Sequence, residues 1–372
     1  MSAQPERAVA HVDLDAVTRN CERLRSLLGE GTELCAVVKA DGYGHGDALC
    51  ARAALAGGAS QIAVAAAIEA GALRAAGVEA PLLVMGALTR EETQIALEAR
   101  AGVVAWTPDF LDVVRECAGN VPAHVHVKLD TGMGRLGTKD VDEARRLVAA
   151  VESDERLALV GVMTHFATAD EPGDDHFPAQ LDAFRRFVSQ VKDSHPHAVA
   201  HAANSAATIR EPDAHFDMVR CGVAVYGLDP FQDDPAAHGL EPALSLHSWV
   251  ASVKRFEPGD SAGYGRSWRA TEPTWIGVLP LGYGDGWRRA LSNDADVLVR
   301  GRRRPLVGTV SMDNVTIDLG PDTDVRVGDE AVLIGAQGDE RILCEEVARR
   351  LDTINYEVTC GLSARVPRLY EP

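Results

Sequence analysis

Short runs of apolar residues recur through the first two thirds of the chain, with polar and amphipathic segments between them. Runs of this length, bounded by turn residues, predict buried strands. We place eight such strands, at residues 34–38, 61–65, 82–86, 103–106, 124–129, 157–164, 198–202 and 218–223. The intervening segments, such as ALCARAALAGG and LDAFRRFVSQVKDS, repeat apolar positions at the 3.6-residue period of an amphipathic helix.

The spacing of these strands predicts their architecture. Consecutive strands lie roughly 20 to 40 residues apart, which is the length of one strand and one crossover helix. Eight such units over about 230 residues predict a (β/α)8 barrel, with a doubly wound open sheet as the alternative. We therefore expect an α/β fold in which the N-terminal barrel occupies residues 1–237.

The pattern changes after Leu228. The segment DPFQDDPAAHG has no periodicity and predicts a linker. Alternating runs then predict a mainly β domain over residues 238–372; these runs are LHSWVASVKRF, TWIGVLPLGYG, ADVLVRG, PLVGTVSM, NVTIDLG and EAVLIGA. The segment RILCEEVARRLDTI predicts one late helix.

Composition limits the function classes. A hydrophobic content of 46% and a charged content of 25% are typical of a soluble globular protein. The net charge of −18 argues against nucleic acid and anionic membranes as partners. Seven cysteines without a CxxC pair argue against a disulfide framework or a metal site and suit a reducing cytoplasm. We also expect no signal segment and no membrane span.

Polar side chains close several of the predicted strands. They are Lys39 after the first strand, Lys128 and the nearby Arg135 at the fifth, His165 at the sixth, Ser205 after the seventh and Arg220 on the eighth. In a (β/α)8 barrel the reactive face lies at the C-terminal ends of the strands. Each residue alone could be structural, as a solvated lysine, a hydrogen-bonded histidine or an ion-paired arginine. Together they predict a cationic site for an anion in an acidic protein.

Lysine chemistry narrows the nature of that anion. A desolvated lysine among cations has a lowered pKa and can form a Schiff base with an aldehyde. Pyridoxal phosphate (PLP) is an aldehyde that also carries a phosphate. Barrels of this type commonly bind phosphate after strands seven and eight, where Ser205 and Gly222 lie. The loop GYGHG would turn under the cofactor while Tyr43 reaches over it.

Ordered motifs over nearly the whole chain resemble the alanine racemase family. They are AVVKADGYGHG, HVKLDTGMGRLG, MTHFATAD, HAANSAA, VRCGVAVYG, SAGYGRSW, LPLGYGDG, VGTVSMDN and TINYEV. The resemblance implies a PLP-dependent isomerase that interconverts L- and D-alanine, supplies D-alanine for peptidoglycan and works as a cytoplasmic homodimer with shared sites. Lys39 matches the PLP-binding lysine, which is also one of two catalytic bases. Tyr264 matches the second base and would reach the partner's barrel.

The resemblance also implies supporting roles. Arg220 would face the pyridine nitrogen, His165 would link that arginine to the catalytic tyrosine, and Arg135 would lie near the substrate carboxylate. Lys128 matches a lysine that is often carbamylated in the family. The remaining matches are phosphate contacts (Tyr43, Ser205, Gly222, Val223, Tyr356), a substrate contact (Met312) and an entrance residue (Tyr283), the last two donated by the partner.

Physical chemistry agrees with a two-base racemase, because a proton must leave one face of Cα and return on the other. Three positions depart from the usual family pattern, namely Gly284, Arg288 and Ser311. They leave the entrance shape and substrate breadth open. A broad-specificity racemase is therefore one alternative. A non-catalytic PLP carrier would lack the β domain, a decarboxylase would place a carboxylate where Arg220 stands, and a phosphosugar enzyme would not explain the ordered motifs.

Overall fold

A computed structural model describes residues 6–371. It divides into two compact units. The barrel unit comprises residues 17–225 and 238–240, and the β unit comprises residues 6–16, 226–237 and 241–371. The first strand, β1 (Ala8–Asp13), is followed by helix α1 (Leu14–Ser26).

Eight parallel strands close into a barrel in the barrel unit. They are β2 (Glu33–Val37), β3 (Gln61–Val64), β4 (Leu82–Val84), β5 (Ala101–Ala105), β6 (Ala123–Lys128), β7 (Leu157–Met163), β8 (Val199–His201) and β9 (Met218–Cys221). The ring closes where β2 pairs with β9, with Cys35 opposite Arg220. The closed ring confirms the predicted eight strands and excludes the doubly wound sheet.

Helical segments follow strands β2 to β8. They are α2 (Lys39–Tyr43), α3 (Asp47–Ala56), α4 (Ala67–Ala75), α5 (Arg90–Glu98), α6 (Pro108–Cys117), α7 (Val141–Glu152), α8 (His176–Lys192) and α9 (Ser205–Arg210). The two segments predicted from amphipathic periodicity coincide with α3 and α8. No helix among residues 6–371 has the length and apolar character needed to cross a membrane.

Within residues 226–371, the β unit contains three sheets, the largest of which β1 completes, and two α-helices. Its remaining strands are β10 (Leu244–Trp249), β11 (Ser252–Phe256), β12 (Ser261–Ala262), β13 (Trp268–Arg269), β14 (Thr274–Leu279), β15 (Asp296–Val299), β16 (Arg302–Pro305), β17 (Val315–Gly320), β18 (Glu330–Gln337), β19 (Glu340–Ile342) and β20 (Arg368–Glu371). Its helices are α10 (Cys344–Arg350) and α11 (Asn355–Cys360). The largest sheet has the order β16-β15-β18-β10-β1-β20, with β19 beside β18.

Strand pairing explains why the N-terminal residues lie in the β unit. Strand β1 runs antiparallel to β10 and parallel to β20, and both partners belong to the β unit. Each unit is therefore made of more than one segment of the chain. The predicted boundary was a single point between residues 237 and 238.

One local prediction in the β unit was wrong, and a second was confirmed over a shorter segment. The run PLVGTVSM forms no strand beyond Pro305 and makes only an isolated bridge from Leu306 to Ile317. Gly308 then turns the chain with φ of 82°, and a Cβ at this position would lie 2.6 Å from the carbonyl oxygen of Ala262. The segment RILCEEVARRLDTI is divided between β19 and α10, and α11 is a separate second helix.

Candidate active site

Lys39 begins a left-handed turn at the C-terminal end of β2. Ala40, Asp41, Gly42 and Tyr43 have φ values of 53°, 54°, 59° and 54°. For residues with a Cβ, this conformation costs about 1–2 kcal/mol each, so three of the four positions are strained. The half-buried Lys39 places its Nζ 5.8 Å from the centroid of the Tyr43 ring. The turn therefore holds a lysine and a buried tyrosine at the mouth of the barrel.

The Tyr43 hydroxyl lies directly against the backbone of Gly222. A Cβ on Gly222 would be 2.2 Å from that hydroxyl oxygen, so only glycine fits here without a shift. Ser205, at the start of α9, accepts hydrogen bonds at Oγ from the backbone N–H groups of Gly222 (3.1 Å) and Ala224 (3.3 Å). The hydroxyl groups of Tyr43 and Ser205, which lie beside these backbone N–H groups, are donors of the kind that bind a phosphate.

Arg220 is a buried cation inside the barrel. Its Nη2 donates to the carbonyl oxygens of Thr164 (2.8 Å) and Ala202 (3.0 Å), and lies 3.3 Å from Nδ1 of His165. Burial lowers the pKa of Arg220 to about 10, so it remains protonated at neutral pH. Among residues 6–371, no carboxylate forms an ion pair with this arginine.

His165 is held in its neutral form. Burial is the main cause that lowers its pKa well below the ordinary value, and the positive charge of Arg220 is the second. Because Arg220 donates to Nδ1, the neutral ring carries its proton on Nε2. His165 can therefore offer an N–H donor on the side away from Arg220.

Two further histidines, His201 and His126, extend from Arg220 into the barrel interior. Nη1 of Arg220 lies 2.9 Å from Nδ1 of His201, and Nε2 of His201 lies 2.9 Å from Nδ1 of His126. Burial lowers the pKa of both imidazoles, that of His126 to about 3. Each neutral ring accepts at Nδ1 and donates at Nε2, so the pair holds Arg220 in one orientation. Neither histidine was predicted as a site residue, although His201 opens the motif HAANSAA.

Lys128 lies at the end of β6 and is only 4% exposed. Burial, followed by the charges of Arg220 and Arg135, lowers its pKa to about 8, while Asp130 opposes the shift. Asp130 also holds the adjoining loop, since its Oδ1 accepts from the backbone N–H groups of Gly132 (3.0 Å) and Gly134 (3.1 Å). Arg135 is exposed at the end of this loop.

The other predicted site residues belong to the β unit. Tyr264 is 74% exposed between two left-handed glycines, and its carbonyl oxygen accepts from Thr309 Oγ1 at 2.8 Å. Tyr283 and Met312 are 42% and 50% exposed. They lie close together, because the N–H of Gly284 donates to the carbonyl oxygen of Met312 at 2.9 Å. Tyr356 is half-buried on α11.

Two of the unusual residues in the β unit have identifiable surroundings. A Cβ on Gly284 would lie 2.3 Å from Nη1 of Arg365, so alanine at this position would displace that side chain. Arg288 packs over Gly361, where a Cβ would lie 2.5 Å from its Nη2. The absence of a Cβ at Gly284 and at Gly361 therefore leaves room for the side chains of Arg365 and Arg288.

The residues at the C-terminal end of the barrel fit PLP. Lys39 would bind its aldehyde, Ser205 and Gly222 would hold its phosphate, and Arg220, which has no carboxylate partner among residues 6–371, would face its ring nitrogen. The structure brings together Lys39, Tyr43, Lys128, Arg135, His165, Ser205, Arg220, Gly222 and Val223 at this end of the barrel. Thr164 and Asp130 also lie at the ends of predicted strands; the carbonyl oxygen of Thr164 accepts from Arg220, and Asp130 holds the loop that leads to Arg135.

Family models match both units. The alanine racemase N-terminal domain matches residues 12–230, and the alanine racemase C-terminal domain matches residues 243–370. The alanine racemase of Geobacillus stearothermophilus is 46% identical over 368 residues, covering 97% of this chain and 92% of that protein. Alanine racemase 1 of Bacillus subtilis is 41% identical over 363 residues, covering 97% and 92%.

Solved structures give the same result. The alanine racemase from E. faecalis superposes with a TM-score of 0.93 at 38% identity, covering 98% of each chain. The enzyme from D-cycloserine-producing Streptomyces lavendulae superposes with a TM-score of 0.94 at 38% identity, covering 99% of this chain and 98% of that one. The chain therefore belongs to the alanine racemase family and is an isomerase of that family.

Proposed function

We propose that the chain interconverts L- and D-alanine with PLP bound at the C-terminal end of the barrel. The observation that carries this proposal is the environment of Arg220, a buried arginine held by two neutral histidines with no carboxylate partner among residues 6–371. Facing the pyridine nitrogen, it would donate a hydrogen bond and leave that nitrogen unprotonated. A carboxylate at this place would favour the opposite protonation state.

The barrel residues would bind and orient the cofactor. Lys39 would hold it covalently, and Tyr43, Ser205, Gly222 and Val223 would receive its phosphate. When bound, PLP would supply the electron sink for the charge that develops at the substrate Cα. Tyr356 is proposed as a further phosphate contact.

Two bases on opposite faces of Cα would move the proton. Lys39 is the base on one face, and we assign the other to the partner subunit's Tyr264 in a homodimer. Tyr264 is 74% exposed, so its side chain can reach a second subunit. His165 would donate from Nε2 toward the hydroxyl oxygen of that tyrosine, with the positive charge of Arg220 on its other side.

Substrate contacts complete the proposal. Arg135 would orient the alanine carboxylate, with a carbamylated Lys128 beside it as a countercharge. The partner subunit's Met312 would contact the substrate, and the partner subunit's Tyr283 would line the entrance. The biological role would be to supply D-alanine for peptidoglycan in the cytoplasm, where buried thiols such as Cys35 and Cys221 stay reduced.

The first experiment is an absorbance spectrum of the purified protein before and after borohydride, with the modified peptide identified by mass. We expect an absorbance band of the lysine-bound cofactor that disappears on reduction, with the label on Lys39. Lys39→Ala should lose this label, whereas Lys139→Ala, a change at an exposed lysine, should keep it. A colourless protein that cannot be reconstituted with PLP would refute the proposal.

The assignment of the second base has its own test. Tyr264→Phe removes only the hydroxyl, and Tyr264→Ala removes the ring as well. Both should leave PLP bound and lower kcat, more in one direction of racemisation than in the other, because only one face of Cα loses its base. Wild-type rates in both directions would exclude Tyr264 as a base.

A further inference from the structure

Glu69 connects the Lys39 turn to a different part of the barrel. It lies in the first turn of α4, after strand β3. Its Oε1 accepts a hydrogen bond from the backbone N–H of Ala40 at 2.6 Å. Its Oε2 accepts from the N–H groups of Ala65 and Ala66, each at 2.9 Å. One carboxylate thus holds three backbone donors, and the first of them belongs to the residue directly after Lys39.

The position of this contact matters because the turn that it holds is strained. Ala40 is the first of five consecutive residues with positive φ, and Gly42 and Gly44 are the glycines among them. Backbone bonds inside the turn run from Gly42 N to Val38 O (2.9 Å) and from Gly44 N to Ala40 O (3.0 Å). Neither bond uses the N–H of Ala40, so Glu69 supplies the acceptor for it.

We propose that Glu69 is a positioning residue for Lys39 and Tyr43, acting by holding Ala40 in its left-handed conformation. This inference rests on the proposed function of Lys39 and Tyr43 in binding PLP. A carboxylate suits the task because both of its oxygens accept hydrogen bonds. An amide would present an NH₂ group either to Ala40 or to the pair Ala65 and Ala66, and one side of the contact would be lost.

The chain offers a matched control in Glu92. This residue occupies the same position in α5, where its Oε2 accepts from the N–H of Thr89 at 2.8 Å. Glu92→Gln therefore makes the same chemical change at the same helix position in the next βα unit, away from the Lys39 turn, and its amide oxygen can still accept from Thr89. Both variants lose one negative charge near a helix N-terminus, so a difference between them reports the contact with Ala40 that only Glu69→Gln disturbs.

The first readout needs no cofactor. Hydrogen exchange of the peptide spanning residues 37–46 should be faster in Glu69→Gln than in wild type, and unchanged in Glu92→Gln. The second readout is the equilibrium Kd of the apoprotein for PLP. We expect Glu69→Gln to weaken PLP binding by about 10- to 100-fold, the loss typical of a hydrogen bond to a charged group.

A rescue variant distinguishes positioning from general damage. Glycine adopts positive φ without strain, so Ala40→Gly should recover much of the PLP affinity in the Glu69→Gln background. It should recover nothing in Glu92→Gln. If Glu69→Gln exchanges and binds PLP like Glu92→Gln, or if Ala40→Gly fails to improve it, the positioning role is wrong. Failure of the wild-type protein to bind PLP would instead refute the proposed function, while the exchange experiment would still report on the contact.

Discussion

The lowered pKa of Lys128 leads to a quantitative prediction about its reactivity. Carbon dioxide reacts with a neutral amine, and the pKa of Lys128 is about 8 compared with an ordinary value of 10.5. At pH 7 about one tenth of the Lys128 amines are neutral, compared with about three in ten thousand for an ordinary lysine. We therefore expect carbamylation of Lys128 to be favoured roughly 300-fold by the amine equilibrium alone.

The surrounding charges act in the same direction on the product. Arg220 and Arg135 disfavour the protonated amine, and the same cations would stabilise the negative carbamate. Arg135→Gln removes one of the two cations and should raise the pKa of Lys128. This variant should therefore carbamylate less than wild type at pH 7.

Carbon-13 NMR with labelled bicarbonate is the appropriate assay, because the chain has only five lysines. We expect one protein carbamate signal that grows as the pH is raised from 6 through 8. The signal should persist in Lys139→Ala and disappear in Lys128→Ala. If Lys128 carries no more carbamate than the exposed Lys139, the reasoning from burial and charge is refuted.

Three further predictions concern the cofactor cradle, the barrel interior and the subunit arrangement. Gly222→Ala should weaken PLP binding about 10- to 100-fold by overpacking against the Tyr43 hydroxyl, and Tyr43→Phe in that background should recover part of the loss; full affinity in the single variant would contradict the 2.2 Å approach. His126 has a pKa of about 3 in the fold and about 6.5 when unfolded, so its contribution to stability is complete above pH 6.5 and is lost as the pH falls toward 3. In urea unfolding, this effect should lower the free energy of unfolding by about 2 kcal/mol between pH 7 and pH 5. The free energy of His126→Asn should fall by less over the same range, and an equal fall would be inconsistent with a buried neutral imidazole. Mixing inactive Lys39→Ala and Tyr264→Phe chains should restore about a quarter of wild-type activity through hybrid dimers, and subunit exchange without recovery would rule out a shared site.

Much of the barrel could be predicted from sequence because its strands are buried on both sides. Such strands appear as continuous apolar runs, for example at residues 61–65 and 157–164, and their spacing required crossover helices. The β unit was harder to predict. PLVGTVSM has the alternation of a strand, but Gly308 approaches the backbone of Ala262, which is distant in sequence, and turns the chain.

Some site residues could likewise be predicted from local sequence, and others depended on contacts between distant residues. Lys39, Arg220 and His165 could be predicted because each follows or ends a strand, and the C-terminal ends of barrel strands converge. His126 gave no such signal, since a histidine in the middle of a strand is usually a core residue. It contacts His201 on β8, which lies two strands away in the barrel and 75 residues away in the chain.

The sequence by itself determined the barrel, the β region after it and the family, because apolar periodicity and ordered motifs are properties of local residues. Only the tertiary structure decided that β1 belongs to the β unit, that Ala40 is held by Glu69, and that Arg220 is joined to two neutral imidazoles. Each of these depends on atoms brought together from distant positions. Their hydrogen bonds and burial, and the pKa shifts that follow, exist only once the chain has folded.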